Sequence, residues 1–147
     1  MPPATEPAAA LLVAITPEAE YALGDRRDVR LTHFPFKFGR ESRLSQGVFG
    51  REQRLGHTPQ VNDVYLRERR SSDLIQISRD HFAIERMDGQ FFVVDRGSVA
   101  GTIVGGRRIG GHRKGGRIAL KAGDDIKVGG EGSPYVFRFS LVAGGLT

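Results

Sequence analysis

Residues 78–102 read Ser78-Arg79-Asp80-His81-Phe82-Ala83-Ile84-Glu85-Arg86-Met87-Asp88-Gly89-Gln90-Phe91-Phe92-Val93-Val94-Asp95-Arg96-Gly97-Ser98-Val99-Ala100-Gly101-Thr102. Alternation from His81 to Glu85 puts Phe82 and Ile84 on one face, as a half-buried strand requires. Met87-Asp88-Gly89-Gln90 carries Asp-Gly at its centre, a strong short-range signal for a two-residue hairpin turn. Phe91 to Asp95 is the answering strand, with Phe91 and Val93 on the face opposite to Phe92 and Val94. The hairpin is flanked by two polar motifs, Ser78-Arg79-Asp80-His81 before it and Ser98-Val99-Ala100-Gly101-Thr102 after it. Gly39-Arg40 ends an earlier strand candidate. These three motifs can converge on an anionic group without acting on it chemically, which favours binding over catalysis.

Working outward, the same pattern continues. Ile103-Val104 and Arg107 to Ile109 flank Gly105-Gly106, a second hairpin signal. Arg117 to Leu120 and Ile126 to Val128 surround the turn Gly123-Asp124-Asp125. Tyr135, Phe137, Phe139 and Leu141 alternate with Val136, Arg138, Ser140 and Val142, predicting a long half-buried strand. Towards the N-terminus, Leu11 to Ile15, Asp28 to Phe34 and Pro35 to Arg40 are read as strands, the last two joined by a bend at Pro35. A turn at Asn62-Asp63 leads into a short strand, Val64 to Leu66. No helix-period segment of useful length is apparent. About ten short strands in one chain predict an all-β sandwich of two packed antiparallel sheets. Residues 1–9 are expected to be a flexible tail, 10–142 the sandwich and 143–147 a C-terminal tail. Residues 41–61, broken by Gly47, Gly50, Gly56 and Pro59, are expected to form a long inserted loop.

At 147 residues the chain suits one domain with a real core. No apolar stretch approaches the length of a membrane helix. Met1-Pro2-Pro3-Ala4-Thr5-Glu6-Pro7 lacks the basic region of a secretory signal, so a cytoplasmic location without membrane contact is the expectation. The absence of cysteine excludes disulfides and thiolate metal sites. The formal charge is +5, and residues 101–121 hold six cations (Arg107, Arg108, Arg113, Lys114, Arg117, Lys121) and no carboxylate. That stretch reads either as solvated loop surface or as an electropositive rim that steers an anionic partner.

Other chemistries find little support. Ser78, His81 and Asp80 or Asp95 could suggest a triad, but no Gly-x-Ser-x-Gly elbow accompanies them. The glycine-rich stretch after Gly101 has neither a phosphate-loop nor a dinucleotide fingerprint. His33, His57, His81 and His112 lack ligand spacing, so neither metal nor cofactor is expected. The chain is not read as an enzyme. Nucleic-acid binding is suggested only by the arginines, which no recognition helix or interleaved aromatic platform supports.

Six segments in order resemble the forkhead-associated (FHA) domain over roughly residues 10–142: Gly39-Arg40, Asn62 to Leu66, Ser78 to Phe82, Phe92 to Asp95, Ser98 to Thr102 and Leu120 to Gly129. The resemblance implies a β-sandwich of about eleven strands with binding loops at one end, and phosphothreonine-peptide binding as the activity. Carried over residue by residue, it makes Arg40 and Ser78 the phosphate ligands and Arg79 a second phosphate contact. Val99, Ala100 and Gly101 line the peptide site. Gly39, His81, Asp95 and Thr102 hold its architecture, His81 by tying the loops together. One departure stands out: Ala100 occupies the place where the family has an asparagine that bonds the peptide backbone. A lost bond of that kind costs about 1–3 kcal/mol. The expected function is thus a phosphothreonine-dependent interaction module, an adaptor or regulatory subunit, whose protein partner is phosphorylated by a Ser/Thr kinase. A compensating contact from the 41–61 loop or from residues 101–121 would then give salt dependence and a preference for acidic flanking residues. The alternative is a phosphate-independent module using the 41–61 loop or the basic 101–121 surface.

Overall fold

The computed structural model describes residues 7–41, 62–69 and 75–143. Most of the expected 41–61 insertion and the chain ends lie outside the described residues. In chain order the first strands are β1 (Pro7–Ala14), β2 (Asp28–Leu31), β3 (Phe36–Arg40), β4 (Val64–Leu66) and β5 (Phe82–Met87). They are followed by β6 (Gln90–Asp95), β7 (Thr102–Val104), β8 (Arg107–Ile109), β9 (Gly116–Leu120), β10 (Asp125–Val128) and β11 (Val136–Ala143). A short helix, α1 (Pro17–Ala22), lies between β1 and β2.

The hairpin read at 81–95 forms as expected. Asp88 and Gly89 both take positive φ, 53° and 77°, the sign that lets a two-residue turn follow the twist of its strands. β5 and β6 then pair in register from Phe82 opposite Asp95 to Met87 opposite Gln90. Gly105 and Gly106 repeat the device between β7 and β8, with φ of 56° and 84°.

The strands form two sheets. A six-stranded sheet runs β2-β1-β11-β10-β7-β8, and a five-stranded one runs β4-β3-β5-β6-β9. The first is antiparallel throughout. The second departs from the expected all-antiparallel pattern, because β3 and β4 pair in parallel, Phe38 to Arg40 beside Val64 to Leu66. Parallel neighbours need a long crossover rather than a hairpin, and the chain between Arg40 and Val64 is long enough to supply it.

The inward faces of the sheets meet in an aromatic core. Phe38 and Phe82 stack with ring centroids 4.5 Å apart and planes within 6°. Ile84 and Val93 extend that layer, and Leu12, Ile126, Val128, Phe137 and Phe139 face it from the other sheet, all fully buried.

Two local features differ from expectation. Helix α1 was not expected, yet Thr16-Pro17-Glu18 holds a helix-start signature. The Thr16 Oγ1 accepts the Ala19 N–H at 3.1 Å, Pro17 takes the first turn, and Glu18 and Glu20 favour the positive helix end. Ala19 and Ala22 bury its inner side. In addition, β1 starts at Pro7, and strand pairing takes in Pro7 and Ala9 of the expected N-terminal tail and Ala143 of the expected C-terminal one.

Truncating the stacked core should be costly. Phe82→Ala removes a fully buried ring and is expected to lower unfolding stability by about 3–5 kcal/mol. Urea denaturation followed by near-ultraviolet circular dichroism measures it; a loss below about 1 kcal/mol would contradict the packing described.

Candidate functional site

The polar motifs converge where β3 ends and three loops begin: 75–81 before β5, 96–101 between β6 and β7, and 110–115 between β8 and β9. The Arg40 amide donates to Ser78 O at 2.9 Å, and its guanidinium Nη1 donates to Ile77 O at 3.0 Å. The Val99 amide donates to Ser78 Oγ at 3.0 Å. Arg40, Ser78 and Val99 are therefore contiguous, although 59 positions separate the first from the last in sequence (99 − 40).

Gly39 is required by close approach. A Cβ there would run into the Arg79 carbonyl oxygen and lie 2.6 Å from Asn62 Nδ2. That same carbonyl accepts from Asn62 Nδ2 at 3.0 Å. Asn62 Oδ1 in turn accepts from Arg96 Nη1 at 2.6 Å, and Arg96 Nη2 lies 3.4 Å from Asp80 Oδ1. Burial pushes the Asp80 carboxyl above its ordinary value, against the opposing pull of Arg96, Arg79 and Lys37. Asn62 and Arg96 brace the 78–80 loop; the sequence marks Asn62 as a turn residue and as part of an FHA-like segment, and gives neither residue this role.

His81 ties two loops together. Its ring is fully buried. Nδ1 accepts the Ser78 amide proton at 2.9 Å, which assigns the proton to Nε2, and Nε2 donates to Gly101 O at 2.7 Å. Both ring nitrogens are used by the neutral form.

Asp95 organises the 96–101 loop. Its carboxylate is buried and accepts four bonds: Oδ1 from the amides of Gly97 (3.0 Å) and Ser98 (2.8 Å), Oδ2 from the hydroxyls of Ser98 (2.6 Å) and Thr102 (2.7 Å). The Ser98 hydroxyl also accepts the Gly101 amide at 3.0 Å. Gly110 faces this carboxylate so closely that a Cβ would collide with all its heavy atoms, and its φ of +71° adds to the demand for glycine. Asp95 and Thr102 were expected to hold loop geometry; the partnership with Gly110 was hidden in a glycine-rich run.

The 110–115 loop docks on the 96–101 loop. His112 and Arg113 donate their amides to Val99 O and Ser98 O, each at 2.9 Å. Arg108 Nη2 donates to Ala100 O at 3.1 Å, and Gly101 O takes both His81 Nε2 and the Gly129 amide. Every carbonyl from Ser98 to Gly101 is thus occupied from within. The donors are not: among the described residues the amides of Arg79 and Ala100 have no acceptor. Nor do Arg40, Arg79, Arg108, Arg113 and Lys114 have a carboxylate partner there. This end of the sandwich is rich in donors and cations.

The basic stretch 101–121 does not form one continuous rim. Arg108, Arg113 and Lys114 lie with the site loops. Arg107 pairs with Val104 at the opposite end of its hairpin. Arg117 packs over the Phe92 ring at 3.8 Å and pairs with Glu85 at 3.6 Å on the five-stranded sheet. Alternation along short strands sends neighbouring arginines to different faces and ends.

Burial holds the His81 imidazole below its ordinary value of 6.5, outweighing the Gly101 bond and the Asp95 charge. The unfolded chain protonates this ring as pH falls through about 6.5 while the folded one does not, so stability falls with it. Asp80 acts oppositely and lower, its raised value favouring the folded state as pH falls towards 3.8. Urea titrations between pH 7.5 and 5 should show the wild type losing stability faster than His81→Gln. Equal pH slopes would contradict the neutral ring. At pH 7.5 the substitution itself should cost about 2–3 kcal/mol.

A family model for the FHA domain matches residues 47–129, more than half of the chain. Comparison with curated protein sequences returns no match. Among solved structures, the FHA domain of a hypothetical protein from Arabidopsis thaliana aligns with a TM-score of 0.63 and 19% identity, covering 97% of this chain and 92% of its own. The kinase-interacting FHA domain of the Arabidopsis kinase-associated protein phosphatase gives a TM-score of 0.59 and 18% identity, covering 94% and 97%. The N-terminal FHA domain of Rad53p from S. cerevisiae, solved with a phosphothreonine peptide, gives 0.53 and 15%, covering 92% and 93%. These likenesses agree with the two-sheet, eleven-strand architecture, and with the family match they settle the assignment: the chain belongs to the FHA domain family.

Proposed function

We propose that this domain is a phosphothreonine-dependent protein-interaction module, serving as a signalling adaptor or regulatory subunit. The observation that carries the reading is the convergence of Arg40, Ser78 and the Arg79 amide; among the described residues that amide has no acceptor and Arg40 has no carboxylate partner. A doubly charged phosphate ester is the ligand that such donors suit, because charge-assisted hydrogen bonds are about twice as strong as neutral ones. Arg40 lies before the segment matched by the family model, so its place in the site rests on its bonds to Ile77 and Ser78.

Each residue then has a role. Arg40 keeps guanidinium N–H groups beyond the one on Ile77 for the phosphate. The Ser78 hydroxyl accepts from Val99 and still has its own proton to donate. Arg79 offers its amide, and its exposed side chain lies on the same loop. Val99 is 53% exposed and supplies an apolar surface for the threonine methyl. Ala100 offers its amide but no side-chain bond. Gly39, His81, Asp95, Gly101 and Thr102 hold these groups in place. The partner is a protein phosphorylated on threonine by a Ser/Thr kinase, in the cytoplasm. The solved complex of Rad53p with a phosphothreonine peptide supports the ligand class.

Calorimetric titration with phosphothreonine peptides chosen from a degenerate library should show saturable binding. The unphosphorylated twins and Arg40→Ala should each weaken it by about a hundredfold or more, and Ser78→Ala by about tenfold. Equal affinity for phosphorylated and unphosphorylated peptides would overturn the proposal and favour a phosphate-independent module.

A further inference from the structure

Arg108 lies across the site in a way that neither charge pairing nor packing explains. It leaves β8 opposite Ile103 and runs over two glycines of the site loops. A Cβ on Gly101 would come within 3.0 Å of its Nε, and one on Gly111 within 2.9 Å of its Nη2. Both glycines take positive φ, 96° and 89°, so the absence of a side chain at each makes room for the guanidinium. Its anchor is the Nη2 bond to the carbonyl of Ala100, at 3.1 Å. That is the residue where the FHA resemblance implies an asparagine bonding the peptide and this chain has alanine.

One of the five N–H donors of the guanidinium is thereby used. No carboxylate among the described residues pairs with it, and residues 96–123 contain none at all. The side chain is exposed at the site end, yet held in one direction by its bond to Ala100. A fixed, partly unused planar donor fork beside a phosphate site is suited to a carboxylate, which it can engage bidentately.

We propose that Arg108 is a specificity-determining residue that binds an acidic side chain flanking the phosphothreonine, in place of a contact from position 100. The inference rests on the phosphopeptide reading above. The glycines at 101 and 111 are part of the device, since a larger residue at either would displace the guanidinium.

The test is a double-mutant cycle by calorimetry. Library-selected phosphothreonine peptides with Asp or Glu flanks are compared with Asn or Gln versions, against wild type, Arg108→Ala and Arg108→Gln. Arg108→Gln keeps a polar amide of shorter reach at this position and removes the charge. Wild type should bind the acidic peptide about tenfold more tightly than the amide peptide, and both variants should reduce that ratio to about two or less. The acidic preference of wild type should also weaken with added salt more than that of Arg108→Gln. If both variants bind the two peptides with the wild-type ratio, Arg108 only steadies the loop and the proposal is overturned, while phosphopeptide binding stands. Phosphate-independent binding by the wild type overturns both readings.

Discussion

The carboxylate of Asp95 is buried with no cation bonded to it among the described residues, and the site depends on how it is satisfied. Removing a carboxylate from water is prohibitive unless its lone pairs are taken up. Here two amides and two hydroxyls take them up, all from residues 97–102. The demand of one charge therefore dictates the path of the whole loop. Ser98 must turn its hydroxyl inward and is thereby positioned to accept the Gly101 amide. Gly101 is then oriented to present its carbonyl to His81, which reaches back to Ser78. One electrostatic requirement in β6 thus propagates through two loops to the residue whose hydroxyl is proposed to meet phosphate.

A second layer of support comes from below the 75–81 loop. Glu68 accepts the amides of Gln76 and Ile77 at 2.6 and 3.0 Å, and Gln76 Oε1 accepts the Gly130 amide at 2.9 Å. Ile77, held in this way, offers its carbonyl to Arg40. Preorganisation of this kind reduces the ordering a ligand must impose.

The sequence was most legible where local chemistry decides structure. Asp88-Gly89 and Gly105-Gly106 announce their hairpins because few residues other than glycine, aspartate or asparagine accept positive φ cheaply. The alternation around Phe137 and Phe139 announces a half-buried strand for the same kind of reason. The residues that brace the site were less visible. Asn62, Arg96 and Gly110 act through partners 17 to 34, 34 and 15 positions away, counted from Arg79 and Arg96 to Asn62 and from Asp95 to Gly110. No local period encodes such pairings. The parallel pairing of β3 with β4 escaped for a related reason, since strand direction is set by the connection and not by the residues of the strand. Helix α1 is the opposite case: its capping signature was present, and one turn and a half of helix is too short for periodicity to show.

The occupation of every carbonyl from Ser98 to Gly101 has a further consequence. A backbone whose carbonyls already accept bonds from His112, Arg113, Arg108 and His81 is poorly placed to add a peptide as an extra strand, because ladder pairing needs outward-facing donors and acceptors in alternation. The 98–101 loop is thus turned more towards donating than accepting, with the Ala100 amide free of any acceptor among the described residues. A ligand that docks there is met chiefly through its own lone pairs, because the carbonyls of this loop are already committed to other parts of the fold. Such a surface discriminates against generic extended segments, however sticky, and leaves anionic oxygen as the feature that distinguishes one peptide from another.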